Sequence, residues 1–488
     1  MTERLSSVDA AFLAQDRPAY VISGVRLLVF SGPAPGFETF LEHVRDRLPL
    51  VPRLRQRVRR SPLDLRRPSW EQDPEFGIEH HVRPMPLPPA EPGSELEALC
   101  EELLSRPLDL RRPLWELWYV EGLPGGRFVA GSRFHHALGD GSSTAHVLVQ
   151  LFPPAQDAIR HAPGEAGSVR DERARVRESG RPEAGAADAR RAPGSWRSPA
   201  PLSPRRVAQG VRRDARRRAR RLARPITQPR RRGSSRESAL IGSAVGHDRS
   251  VRLVSAPLAD LRLARTALGT TTNNVVIAAV AGALRRHLVR RDEAPVDLIA
   301  MIPVSIRKPG DLELGNRVRT LLCDLPVSEP DPGARLRLVT EAVSAAAARR
   351  RAAGEHRGVP RPQVFNDYLV RRRSGSAYRL FDVVITSTRR STAPLRCCGR
   401  EAELSIPGGP NIPFHGPLFM VWRYLGATTI SITTDPAAMP DGGTLAVDLR
   451  DGLDELQALA RASAGSADQP SGKGWIGTPW SRSRMPSS

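Results

Sequence analysis

Cysteine is scarce in this chain, with four in 488 residues. Cys100 and Cys323 stand alone and Cys397 and Cys398 are adjacent, so the sequence offers neither a disulfide framework nor a zinc-type spacing. A reducing cytosol is the expected home. Long apolar runs are missing too. The longest, near "NNVVIAAVAGAL", is about half of the ~20 residues that cross a bilayer, so no integral membrane protein is expected. The opening "MTERLSSVDAAFLAQD" carries Glu3, Asp9 and Asp16, which argues against the apolar core of a signal peptide. Acidic residues are in deficit: 52 against 74 Lys and Arg leave a formal charge of +22. Such a balance points to nucleic acid, an anionic membrane surface or an acidic substrate.

The excess charge is local. From Asp157 to Glu237 there are 23 Arg against 9 acidic residues, in a stretch almost without aromatics. Part of it has the polar, Ala/Gly/Pro-rich character of a disordered linker. "RRVAQGVRRDARRRARRLARP" could instead form a strongly basic helix, although Val207, Val211 and Leu222 are too sparse for a core-facing stripe. A solvated spacer, a membrane-surface contact and a nucleic-acid contact are its three readings, in that order. Setting this stretch aside gives four regions: 1–155, a linker over 156–239, a second block over 240–462, and a Ser/Gly/Pro/Arg-rich tail over 463–488 expected to be disordered. Both blocks mix strand-like and helix-like runs, so the fold class is α+β in two halves. "YVISGVRLLVF", "RFVAGSRF", "VDLIAMIPVSIR" and "TTISITTD" read as strands. "PGFETFLEHVRDRL" reads as a helix with Phe37, Phe40, Leu41, Val44 and Leu48 on one side. "TNNVVIAAVAGALRRHLVRR" reads as a helix capped by Thr272 or Asn273.

Histidine is rare as well, 11 in all, yet two stand together in "RFHHALGDGSS". The strand "RFVAGSRF" runs straight into His135. Side chains alternate faces along a strand, so one imidazole can face a reaction channel while its neighbour is packed. Gly139 and Gly141 permit a sharp turn, and Ser142 or Ser143 can cap a helix through "STAHVLVQLF". A strand end opening into a loop is a common place for a base. Neighbouring strand residues cannot easily chelate one ion, and no further ligand cluster is evident, so no metal is expected there. Two histidines merely satisfied in a core is the bland alternative, and the complete H-H-x-x-x-D-G pattern lowers its weight.

"HHALGDG" is similar to the HHxxxDG motif of the superfamily containing chloramphenicol acetyltransferase, plant acyltransferases and peptide-synthetase condensation domains. Further matches narrow the resemblance to the bacterial wax ester synthase/diacylglycerol acyltransferase family. They are "LSSVDAAFL", the P-L-W element at Pro113, Leu114 and Trp115, "TNNVVIAAVAGALR", "MIPVSIR" and "LGNRV", in that order. Two departures stand out. Asn274 occupies the aspartate position of the N-D-V-V element, and "TSTRRS" (Thr386 to Ser391) replaces T-N-V-P-G-P. The resemblance implies two chloramphenicol-acetyltransferase-like halves with a channel between them. It implies an O-acyltransferase moving a long-chain acyl group from acyl-CoA to diacylglycerol or a long-chain alcohol. His136 would be the general base, with His135, Asp140 and Gly141 shaping the site. Trp115, Asn273, Asn274, Arg307 and Asn316 would be structural or channel residues. Asp140 is expected to make a bidentate pair with Arg307 rather than to orient His136. No covalent intermediate, cofactor or metal is implied, acyl-CoA being a co-substrate. The expected partners are acyl-CoA, a lipid hydroxyl acceptor and an anionic membrane or lipid droplet, not nucleic acid, and the expected location is the cytoplasmic face of the membrane or the droplet. "GDGSS" is not the G-x-S-x-G of a hydrolase elbow. A condensation-type enzyme acting on carrier-protein thioesters, or a catalytically weakened lipid-binding paralogue, are the alternatives.

Overall fold

The continuous apolar run that ends "SGVRLLVF" lets one strand serve two packing layers at once. Strand β2 (Ser23–Phe30) points Val25, Leu27 and Val29 at helix α3 (Glu95–Ser105), where they meet Leu99 and Leu103. Its Leu28 and Phe30 face the other way, towards α2 (Phe37–Arg47) and α4 (Gly141–Leu151). On α2 the residues Phe40, Leu41 and Val44 are buried, each contributing about 1.5–3 kcal/mol relative to exposure. In this computed structural model the described residues are 3–16, 22–60, 67–155, 248–308, 310–352, 381–388, 393–410 and 416–464. The linker readings over 156–239 and the tail reading past 464 lie outside them.

Helix α1 (Ser7–Gln15) follows the short strand β1 (Glu3–Arg4), which joins a small sheet in the order β1-β4-β3 with β3 (Gln56–Arg59) and β4 (Ser69–Gln72). The first large sheet includes β5 (Val82–Pro84), β6 (Trp115–Leu123) and β7 (Arg127–His135). Two further strands come from much later in the chain, β12 (Arg396–Cys397) and β13 (Arg400–Gly408), giving the order β12-β13-β2-β7-β6-β5. Here the structure corrects the sequence division, which placed everything from 240 to 462 in the second half. "REAELSIPG" pairs antiparallel with β2, Ile406 opposite Leu27, and buries Ala402 and Ile406 in first-half clusters.

The second sheet runs β10-β9-β11-β14-β15-β8, from β8 (Ser250–Pro257), β9 (Leu298–Ser305), β10 (Val318–Leu325), β11 (Val383–Ser387), β14 (Leu418–Tyr424) and β15 (Ala427–Thr434). Among the described residues, helices α5 (Leu258–Ala267), α6 (Thr272–Arg290), α7 (Pro332–Ala352) and α8 (Thr444–Ser463) belong to this half. The small side chains of α6 let it sink into the core, so residues 274–284 are buried on every side. Its N-cap is Thr271, whose hydroxyl accepts from the Asn274 N–H, one residue before the expected caps. Among the described residues no single helix is long and apolar enough to cross a membrane, and α6 passes only jointly with α5 across a 97° bend. Side chains of one half also bind the backbone of the other. Glu97 and Glu101 of α3 each accept an N–H of strand β8, from Leu253 and Val251, both at 2.7 Å.

Candidate active site

Strand β7 ends at His135, and the chain then turns through Ala137–Gly139 into α4. The two histidines have quite different surroundings. His135 is fully buried. Its Nδ1 accepts the Ala137 N–H at 2.8 Å, so the ring proton sits on Nε2, which donates to Asp16 Oδ2 at 2.7 Å. Both nitrogens are committed, and this ring positions the turn. His136 is half-buried and lies against Phe12 of α1, with ring centroids 5.1 Å apart and planes at 23°. Among the described residues its ring nitrogens have no protein hydrogen-bond partner. Burial, with the neighbouring His135 as a smaller cause, pushes its pKa down to about 4. At neutral pH the imidazole is therefore uncharged, with a lone pair able to take a proton.

The backbone of His136 is fixed from both halves of the molecule. Its N–H donates to Ile22 O, and its carbonyl accepts from Asn316 Nδ2 at 2.6 Å. The same amide donates to Asp9 Oδ1 at 2.8 Å. Asp9 is itself held by Ser6, which caps α1 by accepting the Asp9 N–H and donates its hydroxyl to Asp9 Oδ2 at 2.6 Å. Thus "LSSVDAAFL" and "LGN", far apart in sequence, meet through Asn316, whose amide joins Asp9 to the carbonyl of His136. The spacing S-x-x-D has the pattern of a capping box, although Asp9 accepts the Ser6 hydroxyl rather than its backbone N–H, and that signal could have named Asp9 as a site residue. Asp16 and Phe12 carry no comparable signal.

Asp140 does not contact the His136 ring. It is the N-cap of α4, in place of the serines expected there. Its Oδ1 accepts the N–H groups of Ser142 and Ser143 at 3.0 and 2.9 Å, and Oδ2 accepts the Arg317 N–H at 2.8 Å. Arg307 approaches as expected, but not as a bidentate fork. A single nitrogen, Nη2, lies 3.3 and 3.4 Å from the two carboxylate oxygens and also donates to Ser143 Oγ at 2.7 Å and to Gly315 O. Gly139, at φ 155, bridges to Gly315, and a Cβ there would lie 2.4 Å from the Cβ of Ser143. A Cβ on Gly141, the first residue of α4, would meet Thr388 at 2.7 Å. The motif loop and the 307–317 loop are therefore packed backbone to backbone.

The other expected residues lie apart from this cluster. Trp115 is a core residue: its indole donates to Leu54 O at 2.7 Å and stacks on His81 at 4.7 Å. Asn274 is buried and donates to Thr270 and Thr340. Asn273 is exposed and accepts from Ser387 and Arg423. A cleft of about 260 Å³ opens beside α4, lined by Ser142, His146 and Val149 from one half and Arg307, Leu312 and Trp422 from later segments. His136 is not among its lining residues.

Residues 5–276 match the wax ester synthase/diacylglycerol acyltransferase catalytic domain, and residues 314–457 match the WS/DGAT C-terminal domain. The chain belongs to the wax ester synthase/diacylglycerol acyltransferase family. A putative diacylglycerol O-acyltransferase of Mycobacterium bovis is 30% identical over 348 residues, 69% of each chain. Another putative diacylglycerol O-acyltransferase, from Mycobacterium tuberculosis, is 27% identical over 493 residues, covering 96% of this chain and 92% of that one. In fold, the chain is similar to the wax ester synthase/diacylglycerol acyltransferase from Marinobacter aquaeolei, with TM-score 0.60 and 21% identity over 94% of this chain and 100% of that one. The first condensation domain of the calcium-dependent antibiotic synthetase is similar as well, with TM-score 0.58 and 19% identity over 95% and 97% of the two chains. These two likenesses are of fold alone, while the family assignment makes this chain an acyl-CoA-dependent O-acyltransferase.

Proposed function

We propose that the protein transfers a long-chain acyl group from acyl-CoA to the hydroxyl of a lipid acceptor, diacylglycerol foremost, with His136 as general base. The observation that carries this reading is the half-buried, uncharged His136 imidazole, whose ring nitrogens are uncommitted among the described residues while its backbone is clamped from both halves. The imidazole takes the proton of the acceptor hydroxyl as its oxygen attacks the thioester carbonyl. The tetrahedral intermediate collapses with cleavage of the C–S bond, and the CoA thiolate recovers the proton from the imidazolium. An ester and free CoA result, with no acyl-enzyme. Acyl-CoA brings its own activated bond, so this reading calls on no cofactor or metal. A positioned base of this kind contributes roughly 10²–10⁴-fold.

Relatives named as diacylglycerol O-acyltransferases support the acceptor. So does the exposed apolar rim of the cleft, where Leu312 is 60% and Val149 36% exposed. Such an acceptor resides in membranes or lipid droplets, and the arginine-rich 157–237 stretch suits peripheral attachment to their anionic cytoplasmic surface. Incubating the purified chain with palmitoyl-CoA and either dioleoylglycerol or hexadecanol, and following CoA release and the ester formed, tests the reading. Triacylglycerol formation supports it. Wax ester alone reassigns the acceptor, and thioester hydrolysis without ester refutes it.

A further inference from the structure

Cys397 and Cys398 look inert in sequence, since adjacent residues of an extended strand point to opposite faces. The structure places them at a tight hairpin. Cys397 pairs with Arg400, leaving Cys398 and Gly399 as a two-residue loop with φ of 49° and 77°. Both central residues of such a turn need positive φ, which Asn or Gly supplies more readily than Cys. The left-handed backbone at Cys398 turns its side chain to the same side as its neighbour, and the two sulfurs lie 3.6 Å apart. Two thiolates bound to one tetrahedral Zn²⁺ at ~2.3 Å each are separated by about 3.8 Å. Little movement is therefore required.

A third donor comes from helix α2. His43 completes a group in which the ligand atoms of all three residues lie within 4.8 Å of one another. Its Nε2 is 3.0 Å from Leu151 O, and a carbonyl can only accept, so Nε2 carries the proton and Nδ1 has the free lone pair. A ring fixed through its other nitrogen to a backbone carbonyl is the usual outer support of a metal-bound histidine. The ring also lies flat against Phe152, 5.9 Å away at 7°. Cys397 is buried, whereas Cys398 and His43 are partly exposed, which gives an ion a route in and leaves room for water.

We propose that His43, Cys397 and Cys398 form a binding site for a thiophilic divalent cation, Zn²⁺, with water in the fourth tetrahedral position. Binding converts both thiols to thiolates and releases two protons to solvent. The metal ties α2 to the β12–β13 hairpin, which also anchors the end of the motif helix through the Arg396 N–H on Pro153 O. It is a structural staple, separate from the acyl-transfer chemistry.

Co²⁺ titration of the reduced full-length chain tests this directly. One equivalent is expected to give a near-ultraviolet thiolate-to-cobalt band and tetrahedral d–d bands, displaced by Zn²⁺, and Zn²⁺ is expected to raise Tm. Cys397→Ser alters a buried side chain and can fail to fold, so the deciding variants are the partly exposed Cys398→Ser and His43→Gln. Cys398→Ser is expected to lower the thiolate band, and both to weaken Zn²⁺ binding at least ~10-fold, while His80→Gln, at an exposed histidine, leaves spectrum and affinity unchanged. No thiolate band in the parent chain, or an undiminished one in folded Cys398→Ser, overturns the proposal.

Discussion

Replacing Asp140 by Ala removes three separate things, and the structure allows each to be weighed. The helix cap on Ser142 and Ser143 is worth about 1 kcal/mol. The Arg317 N–H loses its acceptor, and Arg307 loses its carboxylate partner. Breaking a buried ion pair commonly costs about 3–5 kcal/mol. Arg307, however, keeps the Ser143 hydroxyl and the carbonyls of Gly315 and Glu313, so its charge is only partly stranded. A total near 3 kcal/mol is expected for Asp140→Ala. Asp140→Asn is not benign: its amide group must face either the helix N–H groups or the Arg317 N–H, donor against donor, for about 2 kcal/mol. Arg307→Ala leaves the carboxylate with three backbone donors and should also cost about 2 kcal/mol. Because both partners retain other bonds, the coupling in a double-mutant cycle should be near 1 kcal/mol. Urea unfolding followed by circular dichroism reads these values, and acyl-transfer rates should fall with them. An Asp140→Ala protein within ~0.5 kcal/mol of the parent, with equal activity, would refute the view that this carboxylate joins the two loops.

Other expectations follow from neighbouring features. Burial holds His136 and His81 each at about 4, well below 6.5; the unfolded chain therefore binds more protons between those values, and stability should drop as pH falls from 6.5 to 4, by at most ~3 kcal/mol per ring. For the same reason kcat/KM should hold its plateau below pH 6, and an acid limb near pH 6.5 would contradict the half-buried, neutral base. Gly139→Ala should lose activity and stability together, since its Cβ would meet Ser143 in a backbone conformation unfavourable to alanine; a fully active variant in an activity and melting assay would count against the close packing of the two loops. Deleting about 165–235 should reduce co-sedimentation with anionic vesicles, an attraction of about 1 kcal/mol per arginine near the surface that weakens with salt. Unchanged vesicle binding would make that stretch a spacer only.

Much of this was legible in the residues. Enrichment in β-branched and aromatic residues marked β2 and β7, and an apolar stripe marked α2, because a single apolar face can bury only one way. The paired histidines could be separated in role because strand geometry sends neighbours to different surroundings. The partner strand "REAELSIPG" escaped notice since nothing local says which sheet an amphipathic strand will join. The caps at Asp140 and Thr271 were displaced by one to three residues because several oxygen-bearing side chains stand together there, and only tertiary contacts select among them. The single-nitrogen geometry of Arg307 depends on Ser143 and Gly315 competing for the same donor, which spacing cannot show. Asp16, at the C-cap of α1, meets His135 from 119 residues away, a contact with no sequence signature.

The most direct test of the account compares turnover of palmitoyl-CoA and dioleoylglycerol by the parent chain, His136→Ala and His135→Ala, each normalised to folded protein. The account predicts that His136→Ala keeps its fold and loses about 10²–10⁴-fold in kcat, while folded His135→Ala retains more activity, its ring being bound to Asp16 and the Ala137 N–H. Turnover by His136→Ala within ~10-fold of the parent, or equal loss in both folded variants, would contradict His136 as the base.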